Sequence, residues 1–159
     1  MLDASQIERI KYDIQLDKSM KSNLTEELAK SNSKLEALEK NISSNKKDIN
    51  TIEEILKNIK GASDNIVDAI KDMDSYFQGN LANRISGEYS DAEHEIVDIY
   101  NQLVDEYNRL IDENESTNKQ CMRLREDIED LKRRIEILNN NIEENTRKIQ
   151  EFEAQVNLS

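Results

Sequence analysis

The chain has no proline and no tryptophan, one cysteine, one histidine and three glycines in 159 residues. Each scarcity excludes something. Without proline, no residue lacks the amide that a continuing helix needs. Cys121 is alone, so no internal disulfide can form, and the chain suits a reducing compartment. A carboxylate-bridged di-metal bundle needs two Glu-x-x-His helices, and His94 is a single histidine. Aromatics make up 4% and hydrophobic residues 36% of the sequence, too little apolar volume for an ordinary globular core. No run of about 18 apolar residues is present, so no membrane span is expected. The N-terminal MLDASQIERI lacks a basic region followed by an apolar stretch, so no Sec-type signal is expected. The expected location is cytoplasmic, and export alongside a partner without a cleaved signal is left open. The formal charge of -12 argues against nucleic acid and against anionic membrane as partners, because both need clustered Lys and Arg.

What the sequence does contain is a repeat of seven. From Ile7 the a positions run Ile7, Ile14, Lys21, Leu28, Leu35, Ile42, Ile49, Leu56, Ser63, Ile70 and Phe77. The d positions run Ile10, Asp17, Leu24, Ser31, Leu38, Asn45, Ile52, Ile59, Ile66 and Met73. Sixteen of these twenty-one sites are apolar without one change of phase. The second half repeats the pattern, with a at Tyr100, Tyr107, Asn114, Cys121, Ile128, Ile135, Ile142, Ile149 and Val156. Its d positions are Ile96, Leu103, Leu110, Thr117, Leu124, Leu131, Leu138, Asn145 and Phe152. A seven-residue period keeps one apolar stripe facing a partner helix as both supercoil. Disorder, the competing reading of a polar acidic chain, does not produce such a period.

Between the two patterns lies a corner, Gln78 to Gly87, that holds two of the three glycines. Arms of about 70 residues, roughly 100 Å at 1.5 Å per residue, flank it. Equal arms about one corner predict an all-α fold, a long antiparallel coiled-coil helical hairpin. Centring the fold near residue 83 sets Lys21 opposite Asn145. Helices that pair in parallel, or hairpins that form a homodimer, are the competing arrangements.

The middle third differs in material. Residues 1–60 carry eleven basic and eleven acidic groups, and residues 117–159 carry eight and nine. Residues 61–116 carry three and fourteen, together with all three glycines and five of the seven aromatics. The apolar stripe also widens here. On the first helix it takes in Ile66, Val67, Ile70, Met73, Tyr76 and Phe77, ending near Gly79. On the second it takes in Val97, Tyr100, Val104, Tyr107 and Ile111. A stripe this broad needs cover on a second side. The pattern predicts coiled-coil arms at 1–60 and 117–159, and a wider, partner-binding helical head at 61–116. Gly61 and Ser63 could end one helix and cap the next, although the unbroken heptad phase also permits one continuous helix.

Candidate chemistry is sparse. Asp91 and His94 stand three apart, but one His reads as a surface residue of an acidic helix. Asp64, Asp68 and Asp72 share a helical face without a loop to converge their oxygens on a cation. Cys121 occupies an a position and reads as a buried small hydrophobe. Glu129 and Asp130 precede Arg133 and Arg134 by four residues, a pattern of intrahelical pairing that offsets the Lys132-Arg133-Arg134 cluster. No nucleophile–base pair, glycine-rich phosphate loop or Cys/His cluster occurs. The expectation is a non-enzyme without cofactor or metal.

One resemblance attaches to the corner. Tyr76-Phe77-Gln78-Gly79 closes a helix with an aromatic residue two before a glycine. It resembles the Trp-x-Gly turn of the WXG (ESX-like) helical hairpins, with Phe77 where that family has Trp. The plan of the chain resembles the small helical proteins encoded beside LXG toxins of type VII secretion in Gram-positive bacteria. The spacing Tyr-x-x-x-Asp/Glu of the family's export signal occurs at Tyr89–Glu93, beside the corner and not near the C-terminus. The resemblance implies a targeting partner, chaperone-like, for the helical N-terminal domain of a toxin, with a second small helical protein as a further candidate partner. The plain alternative is a coiled-coil scaffold or spacer.

Overall fold

A computed structural model describes residues 3–76 and 80–158, and the side chains of residues 70–83, 85 and 86 lie outside that description. Two α-helices, α1 (Ala4–Tyr76) and α2 (Asn80–Asn157), account for the fold, and the described residues contain no strand. Asp3 opens α1. Its carboxylate Oδ1 accepts the Gln6 amide at 2.8 Å while Gln6 Oε1 accepts the Asp3 amide at 2.9 Å. This reciprocal cap satisfies two of the amides that a helix start leaves without partners. From there α1 runs unbroken through Gly61, so Gly61 and Ser63 do not divide it. A Cβ built on Gly61 meets nothing within 4 Å, so no close approach demands glycine there.

The period of seven reports the packing directly. Every seam position from Ile7 to Ser63 is buried or half-buried, and so is every one from Ile96 to Phe152 except Tyr100. Val156 is exposed as well. The polar seam residues Asp17, Lys21, Ser31 and Asn45 are half-buried with the rest. The helices therefore pack along the a/d stripe, and the paired residues show that they run antiparallel.

The chain divides into two compact units, Met1–Glu39 with Lys119–Ser159, and Lys40–Asn118. In the first, Leu24, Leu131 and Leu138 form a buried cluster with Leu28 and Ile135 against it. Burying such side chains contributes roughly 1.5–3 kcal/mol each. Arg125 Nη2 reaches across to Glu39 Oε1 at 2.6 Å. Cys121 is 2% exposed, a free thiol deep in the seam. In the second unit, Ile49, Ile52 and Leu110 form the buried cluster, joined by Leu56, Leu103 and Tyr107. The Tyr107 hydroxyl donates to Glu53 Oε1 at 3.1 Å. That bond holds the phenol above its ordinary pKa, helped by the carboxylate's charge. Asn114 is 8% exposed, and its Oδ1 has no hydrogen-bond partner among the described residues.

These pairs correct the register. Residue 82 lies midway between Glu39 and Arg125, and residue 80 midway between Glu53 and Tyr107. Asn145 accordingly shares a surface hollow with Asp17, together with Asp13 and Lys148, and Lys21 is not part of it. The expectation centred on residue 83 took Gln78–Gly87 as the corner. In fact α2 begins at Asn80, and Gly87 lies inside it with open space around its Cα. An exposed helix tolerates this glycine, and no turn requires it.

Candidate functional site

The widened stripe is where sequence and structure can be compared residue by residue. Ile70, Met73, Tyr76, Phe77 and Gly79 fall outside the described side chains. Of the remainder, Val67, Val104 and Tyr107 are half-buried, while Ile66, Val97, Tyr100 and Ile111 are exposed. Tyr107 is drawn into the cluster around Leu110. The chain has no further helix in its described residues to cover the others.

Val97, Val104 and Ile111 stand one place after the d residues Ile96, Leu103 and Leu110, at position e, and seven residues apart. They form one line along α2 beside the seam. Val97 is 48% and Ile111 41% exposed. Farther along α2 position e turns polar, with Asn118, Arg125, Lys132, Asn139 and Thr146. The apolar widening thus ends inside the second unit.

A hollow of about 310 Å³ opens on this line, walled by Ile59, Ile96, Val97 and Tyr100, with Ser63, Lys60 and Asp64 completing it. Its cause is local. Ser63 sits at an a position, where its neighbours in the frame are Leu56 and Ile59, and its small side chain leaves the seam underfilled. Tyr100, the a residue of α2 in the same wall, is 38% exposed.

Position f, next to the apolar line, holds Asp98, Asp105 and Asp112. The alternation gives α2 three successive heptads that begin Ile96-Val97-Asp98, Leu103-Val104-Asp105 and Leu110-Ile111-Asp112. On α1 the same tripeptide, Ile66-Val67-Asp68, occupies the same d, e and f places. A reading confined to a and d passes over this repeat, though positions e and f spell it out.

Two arginines of this region are engaged within α2. Arg109 binds Glu106 at 2.6 Å and Glu113 at 2.8 Å, and Arg84 lies 3.4 Å from Glu88. Glu106 is held below the usual carboxylate range, first by its hydrogen bond from Arg109. Asp98, Asp105 and Asp112 are exposed, and none forms an ion pair among the described residues.

The other candidates resolve simply. His94 is exposed, and its Nδ1 lies 2.6 Å from the Ser90 carbonyl one turn earlier. Asp64 and Asp68 are exposed, and the Asp72 side chain lies outside the description. The described residues contain no group of three or more His, Cys, Asp or Glu placed to hold a metal. Beside the Lys132-Arg133-Arg134 cluster, pairing runs from Glu129 to Lys132 at 2.7 Å, with Arg133 acting on Glu129 only as a nearby charge. A second exposed apolar set, Tyr12, Leu16 and Met20, lies on α1. Its spacing of four drifts around the helix instead of following the seam. Among the described residues, no helix is long and apolar enough to cross a membrane.

Comparison with models of protein families, with curated proteins and with solved structures found no match to this chain.

Proposed function

We propose that the chain is a non-enzymatic, helical binding partner, chaperone-like, for the helical N-terminal domain of an LXG-type toxin, and that it helps present that domain for type VII secretion. The observation that carries the reading is the apolar line Val97, Val104 and Ile111 beside the seam of α2, half-buried at Val104 and exposed at Val97 and Ile111. Contiguous exposed apolar surface is costly unless something docks on it. A helical hairpin presenting such a line suits lateral packing of further helices into a bundle. The toxin itself enters through the resemblance of the plan and of the Phe77-Gln78-Gly79 corner to that family.

Co-expression with the neighbouring reading frame tests it directly. A toxin domain should co-purify with the chain, and single substitutions Val97→Asp, Val104→Asp or Ile111→Asp should abolish the capture. Capture that survives all three substitutions sinks the surface. Absence of any toxin gene or toxin capture sinks the partner. A scaffold reading draws on a different observation, the charge-balanced arms with their narrow seam, which set spacing without offering an apolar face. It predicts that the three substitutions change no interaction.

A further inference from the structure

We infer that the groove along position e of the second unit receives one amphipathic helix whose apolar stripe repeats every seven residues and is rimmed by Lys and Arg. The inference rests on the proposal that the chain is a binding partner, and it adds the chemistry of what it binds.

Spacing comes first. Val97, Val104 and Ile111 advance by whole heptads, so they stay in phase with a partner helix that supercoils with the pair and drift away from any other shape. The hollow bounded by Ile59, Ile96, Val97 and Tyr100 offers a socket for one large apolar side chain of that helix. Ser63 creates the socket by failing to fill the seam.

Charge then selects among helices. Each apolar residue of the line is followed by an exposed Asp that has no ion pair among the described residues. Glu53, beside Tyr107, and Asp64, at the hollow, add carboxylates from α1. Lys60 is the one cation lining that hollow. Residues 61–116 as a whole hold fourteen acidic and three basic groups. A second copy of the chain would bring one acidic face against another, and like charges across an interface disfavour that pairing. Anionic lipid is disfavoured for the same reason. A helix with basic rims finds both the apolar line and its flanking carboxylates.

The test uses the full chain and synthetic four-heptad peptides, read by fluorescence anisotropy. One peptide carries Leu and Ile at a and d with Lys at e and g. A second has Glu in place of Lys, and a third has the Lys composition scrambled. The Lys-rimmed peptide should bind at least tenfold tighter than either control, and raising the salt should weaken it. Val97→Asp and Ile111→Asp should each weaken binding at least tenfold while circular dichroism shows the helices intact. Ser63→Leu should weaken it too, by filling the socket from within. The triple change Asp98→Asn, Asp105→Asn and Asp112→Asn should remove most of the salt dependence.

Equal binding of the ordered and scrambled Lys peptides would overturn the inference, because the chain would then be a diffuse polyanion. So would unaltered binding to the Val97→Asp and Ile111→Asp variants. Sedimentation that shows the parent as a dimer and Val97→Asp as a monomer would assign the groove to a second copy. The outcomes separate from those of the toxin test. Peptide binding without toxin capture removes the toxin and keeps the groove, whereas toxin capture without peptide binding does the reverse.

Discussion

Position e of the heptad is used in two ways by the two units of this molecule. In the first unit it carries the ion pair between Arg125 and Glu39, 2.6 Å apart, which bridges the helices with polar groups. In the second it carries Val97, Val104 and Ile111 on α2, which leave apolar surface beside the seam. Ile7, Ile14, Leu24, Cys121, Ile128, Leu131 and Leu138 are buried in the first unit. In the second the buried set is Ile42, Ile49, Ile52 and Leu110, with Asn114 among them. The Lys40–Asn118 unit also holds every glycine, and seventeen acidic against eight basic residues. Glycine, a buried unpaired amide and like-charge repulsion each reduce stability. One heptad frame can thus be flanked by a polar bridge in one unit and by exposed apolar side chains in the other.

Four substitutions would break or sharpen that contrast. Leu131→Ala, in the buried cluster of the first unit, should cost about 2–4 kcal/mol in urea unfolding. Val97→Ala in the second should change stability by no more than about 0.5 kcal/mol, because Val97 is 48% exposed and alanine is the better helix former. Comparable costs at the two sites would mean that Val97 is core and not surface. Asn114→Leu removes the buried amide from an a position and should raise stability by about 1–2 kcal/mol. A loss instead would show that Asn114 Oδ1 has a partner, such as water, in solution. Gly61→Ala should add about 0.5–1 kcal/mol, visible as a higher thermal midpoint. A decrease would mean that α1 needs its flexibility at that point.

The helices and their seam were legible because a period of seven states both the element and its buried face. Ile7, Ile14, Leu24, Ile128 and Leu131 could be placed in the core from spacing alone, and they are buried. Polar seam residues such as Asp17 and Asn145 were legible by the same frame, but their register was not. Register depends on where the connection lies, and Gly87 pointed to a corner centred too late. Composition cannot tell a helical glycine from a turn glycine. The widening of the stripe was also legible. What it left out was the direction of each added residue: Tyr107 turns into the cluster with Leu110, whereas Val97 and Ile111 stay out. Heptad position alone does not decide it: Tyr100, at a, is exposed and Val104, at e, is half-buried. The hollow at Ser63 needed the opposing helix in place, because an underfilled seam is a property of two residues and not of one.

The Cys121 thiol, 2% exposed in the first unit, gives the molecule an internal clock. A thiol reagent cannot reach it while the helices are zipped there, so modification proceeds only during opening events. When closing outpaces modification, the labelling rate is the opening equilibrium multiplied by the reagent's intrinsic rate with a free thiol. The chain has no other cysteine, so the signal belongs to one place on the seam. Events that finish the second unit, such as the docking of a helix, can then be timed from a site they do not touch. Any change in that rate measures, in free energy, how far one part of the zipper feels the other.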